Sequence, residues 1–288
     1  MQSGISEQDI VAYYDQCERD YKLLWHLDDQ SALHYGYWKH DTRLLREALR
    51  NMNDLVLEHL EVKEGNRILD AGCGVGGTSL YTALKYKAEV FGITLSQNQM
   101  NEAQKKSLQK VNLKGTVDFS VQNFCNTNFK NEFFDGVFGI ESICHAENKA
   151  DFLAEAARVL KPGGRLVVAD FFKSKPLLDL EDEKLIQNWA NSWAVPSFSF
   201  HEDFIQIAEK LGLEVEVDKD ISLNVRKTIN RLYYCFFPGI ICHSVLRAFG
   251  RRNKLHGQNV WSTYYQYHCF RKNLSTYRIM KFVKKENA

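Results

Sequence analysis

Two groups of residues in this chain have types and spacings that can do chemistry. In RILDAGCGVGG, Arg67 to Gly77, apolar residues lead into Asp70, and Gly72, Gly74, Gly76 and Gly77 follow almost without interruption. Such a stretch predicts a buried strand that turns sharply into a helix. Glycine is needed where the backbone takes positive φ or comes against a ligand, and the free N–H groups of the next helix face whatever occupies the turn. A nucleotide-like ligand is the natural occupant. Farther along, Glu141 and His145 follow the apolar run FFDGVFGI. A His near neutrality, or a Glu whose pKa burial has raised, can accept a proton at physiological pH. His145 reads equally well as a helix-start residue capping a loop.

The surrounding pattern indicates what must hold these groups. After Gly65, short apolar runs alternate with helical stretches: strands are expected at 67–71, 88–93, 116–121, 134–140 and 165–171, with helices near 77–86, 97–110 and 149–160. This alternation predicts a parallel sheet with helices on both faces, and ligands bind at the carboxyl ends of such strands. LKPGGR, Leu160 to Arg165, supplies a helix stop and a turn into the fifth strand. Ahead of the series, Ser6 to Trp25 reads as a helix with a loose Ser6–Asp9 capping box and Ile10, Tyr13, Tyr14, Cys17 and Tyr21 on one side. LHYGYW, Leu33 to Trp38, reads as a loop packed over something, and Asp41 as the cap of a long amphipathic helix reaching Leu60. Beyond Asp170 the rhythm changes. Leu177 to Ala194 reads as a helix, Ser199 with Glu202 as the start of another ending at Gly212, and Glu214 to Val217 as a strand. Val225 to Phe249, interrupted by Pro238 and Gly239, has no place in the series and reads as a substrate-side insertion. Trp261 to Lys272, aromatic and β-prone, reads as a last strand.

Composition sets the class. With 44% hydrophobic and 25% charged residues, the chain is an ordinary globular protein rather than a disordered one. No window approaches the roughly 20 apolar residues of a membrane span. The start MQSGISEQDI lacks a basic segment and an apolar run, which disfavours a signal peptide. The seven Cys include no CxxC pair, which disfavours a disulfide framework or a zinc site, and a reducing cytosol is the simplest expectation. No metal is expected. The net charge of +1 hides an asymmetry: residues 219–288 carry 14 Lys and Arg against 2 acids, leaving residues 1–218 at −11. The basic third is suited to an anionic partner or substrate group, and equally to a solvated face balancing an acidic one. No nucleic-acid module is visible, and the negative excess lies on the glycine-turn side.

Gly72, Gly74 and Gly77 satisfy G-x-G-x-x-G, so a dinucleotide must be considered. That reading needs an acid at the end of the second strand, and GITLS places Thr94 there. Taken together, RILDAGCGVGG, VFGITLSQNQ, FFDGVF and ESICHAENKADFLAEAARVLKPGGRLVVAD resemble the class I S-adenosylmethionine-dependent methyltransferases over roughly residues 65–172. LHYGYW, GITLS, the NF after the third strand and ESxxH after the fourth are most similar to the small-molecule branch, with its sterol and tocopherol methyltransferases and cyclopropane fatty acid synthases. The resemblance implies a doubly wound, mostly parallel seven-stranded Rossmann-like sheet. Its expected layout is an N-terminal helical lid (1–64), a cofactor-binding core (65–172), and the rest of the sheet (173–288) with a cap insertion near 225–255, all in one compact domain.

The resemblance also implies roles. Gly72 and Gly74 would admit the methionine part of S-adenosylmethionine and Asp70 would receive its ammonium; Thr94 with Gln99 would bond the ribose. Asn123 would face the adenine amino group, with Phe124 stacking beside it. Methyl transfer is an in-line displacement that needs an aligned nucleophile and removal of one proton, work for Glu141 and His145. Tyr13, Tyr14, His34, Tyr35 and Trp38 would form an aromatic lid over the cofactor or face a cation. The expected acceptor is a small, hydrophobic molecule methylated at carbon or oxygen, with three alternatives: an amine acceptor, a cyclopropane synthase acting on lipid chains, or a silent cofactor-binding partner protein. Arg226, Lys227 and Arg231 fall at helical spacing and could hold a phosphate. Phe236 to Lys254 suits a lipid-like substrate mouth, peripheral contact with a membrane, or an ordinary buried helix with a basic end.

Overall fold

The computed structural model describes residues 4–25, 33–109 and 114–286. Lys110, the last residue of the helix expected over 97–110, lies outside them. In chain order the elements are α1 (Glu7–Trp25), α2 (Leu45–Leu60), β1 (Arg67–Ala71), α3 (Gly77–Tyr86), β2 (Glu89–Thr94), α4 (Gln97–Gln109), β3 (Thr116–Val121), β4 (Phe134–Ile140), α5 (Lys149–Val159), β5 (Leu160–Lys173), α6 (Leu180–Ser192), α7 (His201–Lys210), β6 (Leu213–Asp220), α8 (Ser222–Ala248), α9 (Lys254–Arg271) and β7 (Ser275–Lys284). A short 3-10 turn, Ile143–His145, follows β4.

The strands form one seven-stranded sheet in the order β3-β2-β1-β4-β5-β7-β6. Pairings from β3 through β5 are parallel, and β7 runs antiparallel to both its neighbours. The order reverses between β1 and β4, and a crevice forms at the carboxyl ends of strands where that happens. Successive strand residues enter opposite layers. Ile68, Val167 and Ala169 pack with α2, α6, α8 and α9, whereas Leu69, Leu166 and Val168 pack with α5 and α7. Both faces are covered, which is why these strands read as continuous apolar runs.

Several local expectations are corrected. Trp261 to Lys272 is not a strand: it forms the C-terminal two-thirds of α9, and the last strand is β7. Its aromatics stack against α8, with Tyr233 on Tyr267 at 3.8 Å and Phe236 against Trp261 at 5.2 Å, so tertiary packing overrides β propensity. Pro238 and Gly239 do not break the insertion, which is one 27-residue helix with Pro238 inside it. The helix expected from Asp41 starts at Leu45, because the Glu47 carboxylate takes the N–H groups of Arg43 and Leu44. That after Ser199 starts at His201 without a side-chain cap, and Asp179 rather than Leu177 opens α6. The Ser6–Asp9 box is present, with Ser6 Oγ donating to Asp9 at 2.7 Å.

α1 lies over the crevice and is strapped to it from several sides. Ser96 Oγ and Asn98 Nδ2 donate to Asp15 at 2.7 and 2.8 Å, Asn123 Nδ2 donates to Glu7 at 2.6 Å, and Arg252 pairs with Asp20. Its buried side, Ile10, Tyr13 and Cys17, packs with Ala194 beyond α6.

Candidate functional site

Beneath α1 the turn after β1 opens into a narrow cavity of about 100 Å³. Asp70, Gly72, Gly74, Thr94, Gln99, Phe124, Glu141 and His145 line it, with Ile10, Val11, Tyr14, Leu33 and His34 as its cover. Gly72 has φ +91°, and a Cβ there would fall 2.4 Å from Ser142 Cβ, so the β1 turn and the β4 turn meet only because this residue is glycine. Ser142 completes the junction by donating to the Ala71 carbonyl at 2.5 Å. Asp70 accepts from Ser79 Oγ at 2.6 Å, and burial pushes its carboxyl up to about 7. Thr94 Oγ1 donates to Gln99 at 2.7 Å, which places a hydroxyl and an amide side by side at the end of β2.

A second cavity, about 310 Å³, adjoins the first. That is the size of a small-molecule site, ~300–1,000 Å³. Its walls come from α1 (Tyr14, Asp20, Tyr21), from Tyr35 and Trp193, from α8 (Leu232, Cys235, Phe236, Gly239, Cys242) and from α9 (Asn259, Val260, Ser262, Thr263). Most of that lining is apolar; Arg252, paired with Asp20, supplies its one Lys or Arg side chain among the described residues. Tyr14, Leu33, Glu141 and His145 belong to both cavities, so they form the wall between them.

The chemistry of that wall is set by burial. Glu141 stands at φ +53°, an uncommon conformation for a residue with a side chain, just past the end of β4. Its carboxylate accepts the Tyr35 N–H at 2.6 Å and the Tyr277 hydroxyl at 2.9 Å. Desolvation nevertheless holds the carboxyl well above its usual range, and the nearby Asp170 adds to the effect. Asp170 itself is pushed up to about 6 by burial and accepts the Cys144 N–H at 2.9 Å. His145 Nδ1 lies 3.1 Å from the Ala194 carbonyl, which only a protonated nitrogen can donate to; Nε2 is therefore the acceptor facing the Tyr14 hydroxyl at 2.8 Å. Burial pushes the imidazole down to about 4, so it is neutral at pH 7. Lys149, also buried, donates to the carbonyls of Cys144, Ala146 and Ser197 at 2.6–2.9 Å and so holds the turn that carries His145.

Some residues singled out in the sequence lie elsewhere. Asn123 is outside both linings: its amide ties α1 through Glu7 and its carbonyl oxygen caps the Cys125 N–H at 2.7 Å. Tyr13 lines neither cavity: it is buried behind the wall of the second, where its hydroxyl meets Tyr21 and Asn259. Trp38 donates from Nε1 to Thr228 at 2.9 Å beneath the Lys227 ammonium, toward the N-terminal end of α8 and outside both linings. Of the expected aromatic lid, Tyr14 and His34 line the first cavity and Tyr35 the second. Arg226, Lys227 and Arg231 line neither, and Arg252 is the cation that does. Sequence reasoning missed Tyr277 and Trp193, and it put Tyr21 on the stripe of α1 without a place in the site. Tyr277 is one of two aromatics in the buried strand β7, and nothing near it in sequence marks its contact with Glu141, 136 residues away.

Residues 2–234 match the family model for mycolic acid cyclopropane synthetase. The chain belongs to that family. It is thereby a cyclopropane-synthase-like, S-adenosylmethionine-dependent methyltransferase. Among curated relatives, O-methyltransferase resE of Aspergillus sclerotiorum is 32% identical over 76% of this chain and 80% of its own length. The 24-methylenesterol C-methyltransferase 2 of Arabidopsis thaliana is 32% identical over 62% of this chain, which spans about half (49%) of that longer protein. In fold, the cyclopropane synthase MmaA2 from Mycobacterium tuberculosis superposes with a TM-score of 0.82 at 20% identity, covering 96% of this chain and 98% of that one. The donor set of the first cavity fits the family's cofactor: an acid for an ammonium, a hydroxyl–amide pair for ribose hydroxyls, and Phe124 with Leu95 as apolar surface for a base.

Proposed function

We propose that this methyltransferase acts on carbon or oxygen of a small, largely apolar acceptor, of isoprenoid, sterol-like or natural-product type, held in the second cavity. The observation that carries the reading is the shared wall: an apolar 310 Å³ chamber meets the glycine-turn cavity at Tyr14, Leu33, Glu141 and His145. When bound, S-adenosylmethionine supplies an electrophilic methyl group. Asp70 receives its ammonium, Thr94 and Gln99 its ribose hydroxyls, and Phe124 its base. Leu33 and Tyr14 exclude water from the junction, which aligns acceptor and donor without a competing nucleophile. Glu141 is the acceptor of the departing proton, because it lines both chambers and burial makes it a strong base once ionised. His145 stays neutral, and its Nε2 holds the Tyr14 hydroxyl in place. The relatives named as a sterol C-methyltransferase and an O-methyltransferase support both acceptor atoms.

A panel of prenyl, sterol and phenolic acceptors incubated with isotopically labelled methyl donor, with the product identified by mass, tests the reading. A labelled carbon- or oxygen-methyl product is expected. Label found only on amines, or cofactor binding with no turnover of any acceptor class, would overturn it.

A further inference from the structure

α8 has two functional sides. Leu232, Cys235, Phe236, Gly239 and Cys242 wall the second cavity. On the outer side, Tyr234, Phe237, Ile241 and Val245 recur at three- and four-residue spacing, and Phe249 continues the line just past the helix end. Their exposures are 70%, 51%, 67%, 51% and 76%, and Leu223 extends the same face toward the N-terminus at 74%. Scattered exposed apolar residues need no explanation, but a continuous stripe along several turns of one helix marks a surface that meets an apolar phase or a partner.

The charge around the stripe selects among occupants. From Ile221 to Lys254 there are seven Lys and Arg and no Asp or Glu. Arg226 and Lys227 are exposed near one end, and Arg247, Arg251 and Lys254 near the other. An apolar face bounded by cations with no acid among them complements an anionic lipid surface, where aromatic and aliphatic side chains enter the headgroup boundary and the cations meet phosphates. A second copy of this chain would instead set the same cations against one another, which costs energy. Among the described residues no helix is long and apolar enough to cross a membrane, so the contact is peripheral. Pro238 and Cys242 line the cavity and are also exposed, so the cavity's rim lies beside the stripe.

We propose that the outer face of α8 docks on an anionic lipid surface and presents the rim of the second cavity to it, so that an apolar acceptor can enter from the lipid. Only the entry of the acceptor rests on the acceptor reading above; docking does not. Vesicle sedimentation separates the two. The full chain is mixed with phosphatidylcholine vesicles, with or without phosphatidylserine, and compared with the triple variant Ile241→Ser, Val245→Ser, Phe249→Ser. Binding is expected to anionic vesicles, weakened by salt, with at least a ~10-fold loss in the variant from the missing apolar burial. These side chains line neither cavity, so the variant's Tm and its methyl transfer to a soluble acceptor are expected to match the parent. The docking proposal fails if the parent ignores anionic vesicles or if the variant binds them equally well. It also fails if light scattering finds a dimer that the substitutions dissolve, since a second copy would then occupy the face.

Discussion

The Glu141→Gln substitution tests the proposed proton transfer with little disturbance to the fold. Glutamine has the same shape, and its carbonyl oxygen can still accept from the Tyr35 N–H and the Tyr277 hydroxyl, now at 2.6 and 2.9 Å from the same carboxylate oxygen. What is lost is the ionisable site. Because glutamine keeps the shape and both accepted hydrogen bonds, and burial already disfavours the charged form, folding stability should change by less than about 1 kcal/mol. A positioned base contributes ~10²–10⁴-fold, or about 3–5 kcal/mol of barrier, and kcat should fall by that factor. The assay is initial-rate transfer of labelled methyl across pH, with cofactor affinity measured separately by calorimetry. In the parent, the rate should rise with pH as the elevated carboxyl ionises, since the fraction in the base form grows with pH; the variant should show a much flatter profile. An unchanged kcat in a variant of normal Tm would refute the assignment. So would a kcat loss matched by an equal loss of cofactor affinity, because Glu141 would then be shaping the first cavity rather than taking a proton.

Two further outcomes follow from the turn after β1. Asp70 titrates near 7, and an ammonium ligand favours its ionised form, so affinity for S-adenosylhomocysteine should rise ~10-fold between pH 6 and 8, the ratio of ionised fractions on either side of that pKa. Asp70→Asn should remove most of this dependence and weaken binding by about 10- to 100-fold, the worth of one charge-assisted hydrogen bond. The same variant should make the unliganded protein more stable at pH 8. A carboxyl raised from 3.8 to about 7 contributes stability below its unfolded value, and that contribution is lost as pH rises through 7, a loss Asn does not suffer. Gly72→Ala should lower stability by about 3 kcal/mol or more in thermal unfolding, because φ +91° is strained for a side chain and its Cβ would overlap Ser142 Cβ at 2.4 Å. A Gly72→Ala variant that melts like the parent would show that the two turns can separate at little cost.

The fold was largely legible, for a local reason. Buried parallel strands are covered on both faces, so β1, β2, β4 and β5 had to carry short apolar runs with charges confined mainly to their ends, and the helices between them had to show a 3.6-residue repeat. The part that misled was the C-terminal region. Trp261 to Lys272 has the aromatic content of a strand, and Pro238-Gly239 has the form of a break. Both sit in helices because Tyr233, Phe236, Trp261 and Tyr267 stack between α8 and α9, and that stacking involves residues about 25–35 apart in sequence. Propensity is a weak term beside such burial.

The candidate site divides along the same line. From the sequence alone came the glycine turn with Asp70, the polar pair Thr94 and Gln99 one unit later, and the Glu141–His145 spacing after β4. Each is a local arrangement whose chemistry depends on residues a few positions apart. The tertiary structure decided what those residues face. It set Tyr277, from the far end of the chain, on Glu141, and Arg252 rather than Arg226, Lys227 or Arg231 beside the second cavity. It turned Asn123 and Tyr13 into struts for α1 and Trp38 into packing for α8. Burial, which pushes the Glu141 carboxyl up and the His145 imidazole down to about 4, arises only when the sheet, α1 and the segment around Ala194 close together. A residue's type is written in the chain; its solvent exposure and its partners across the fold are not.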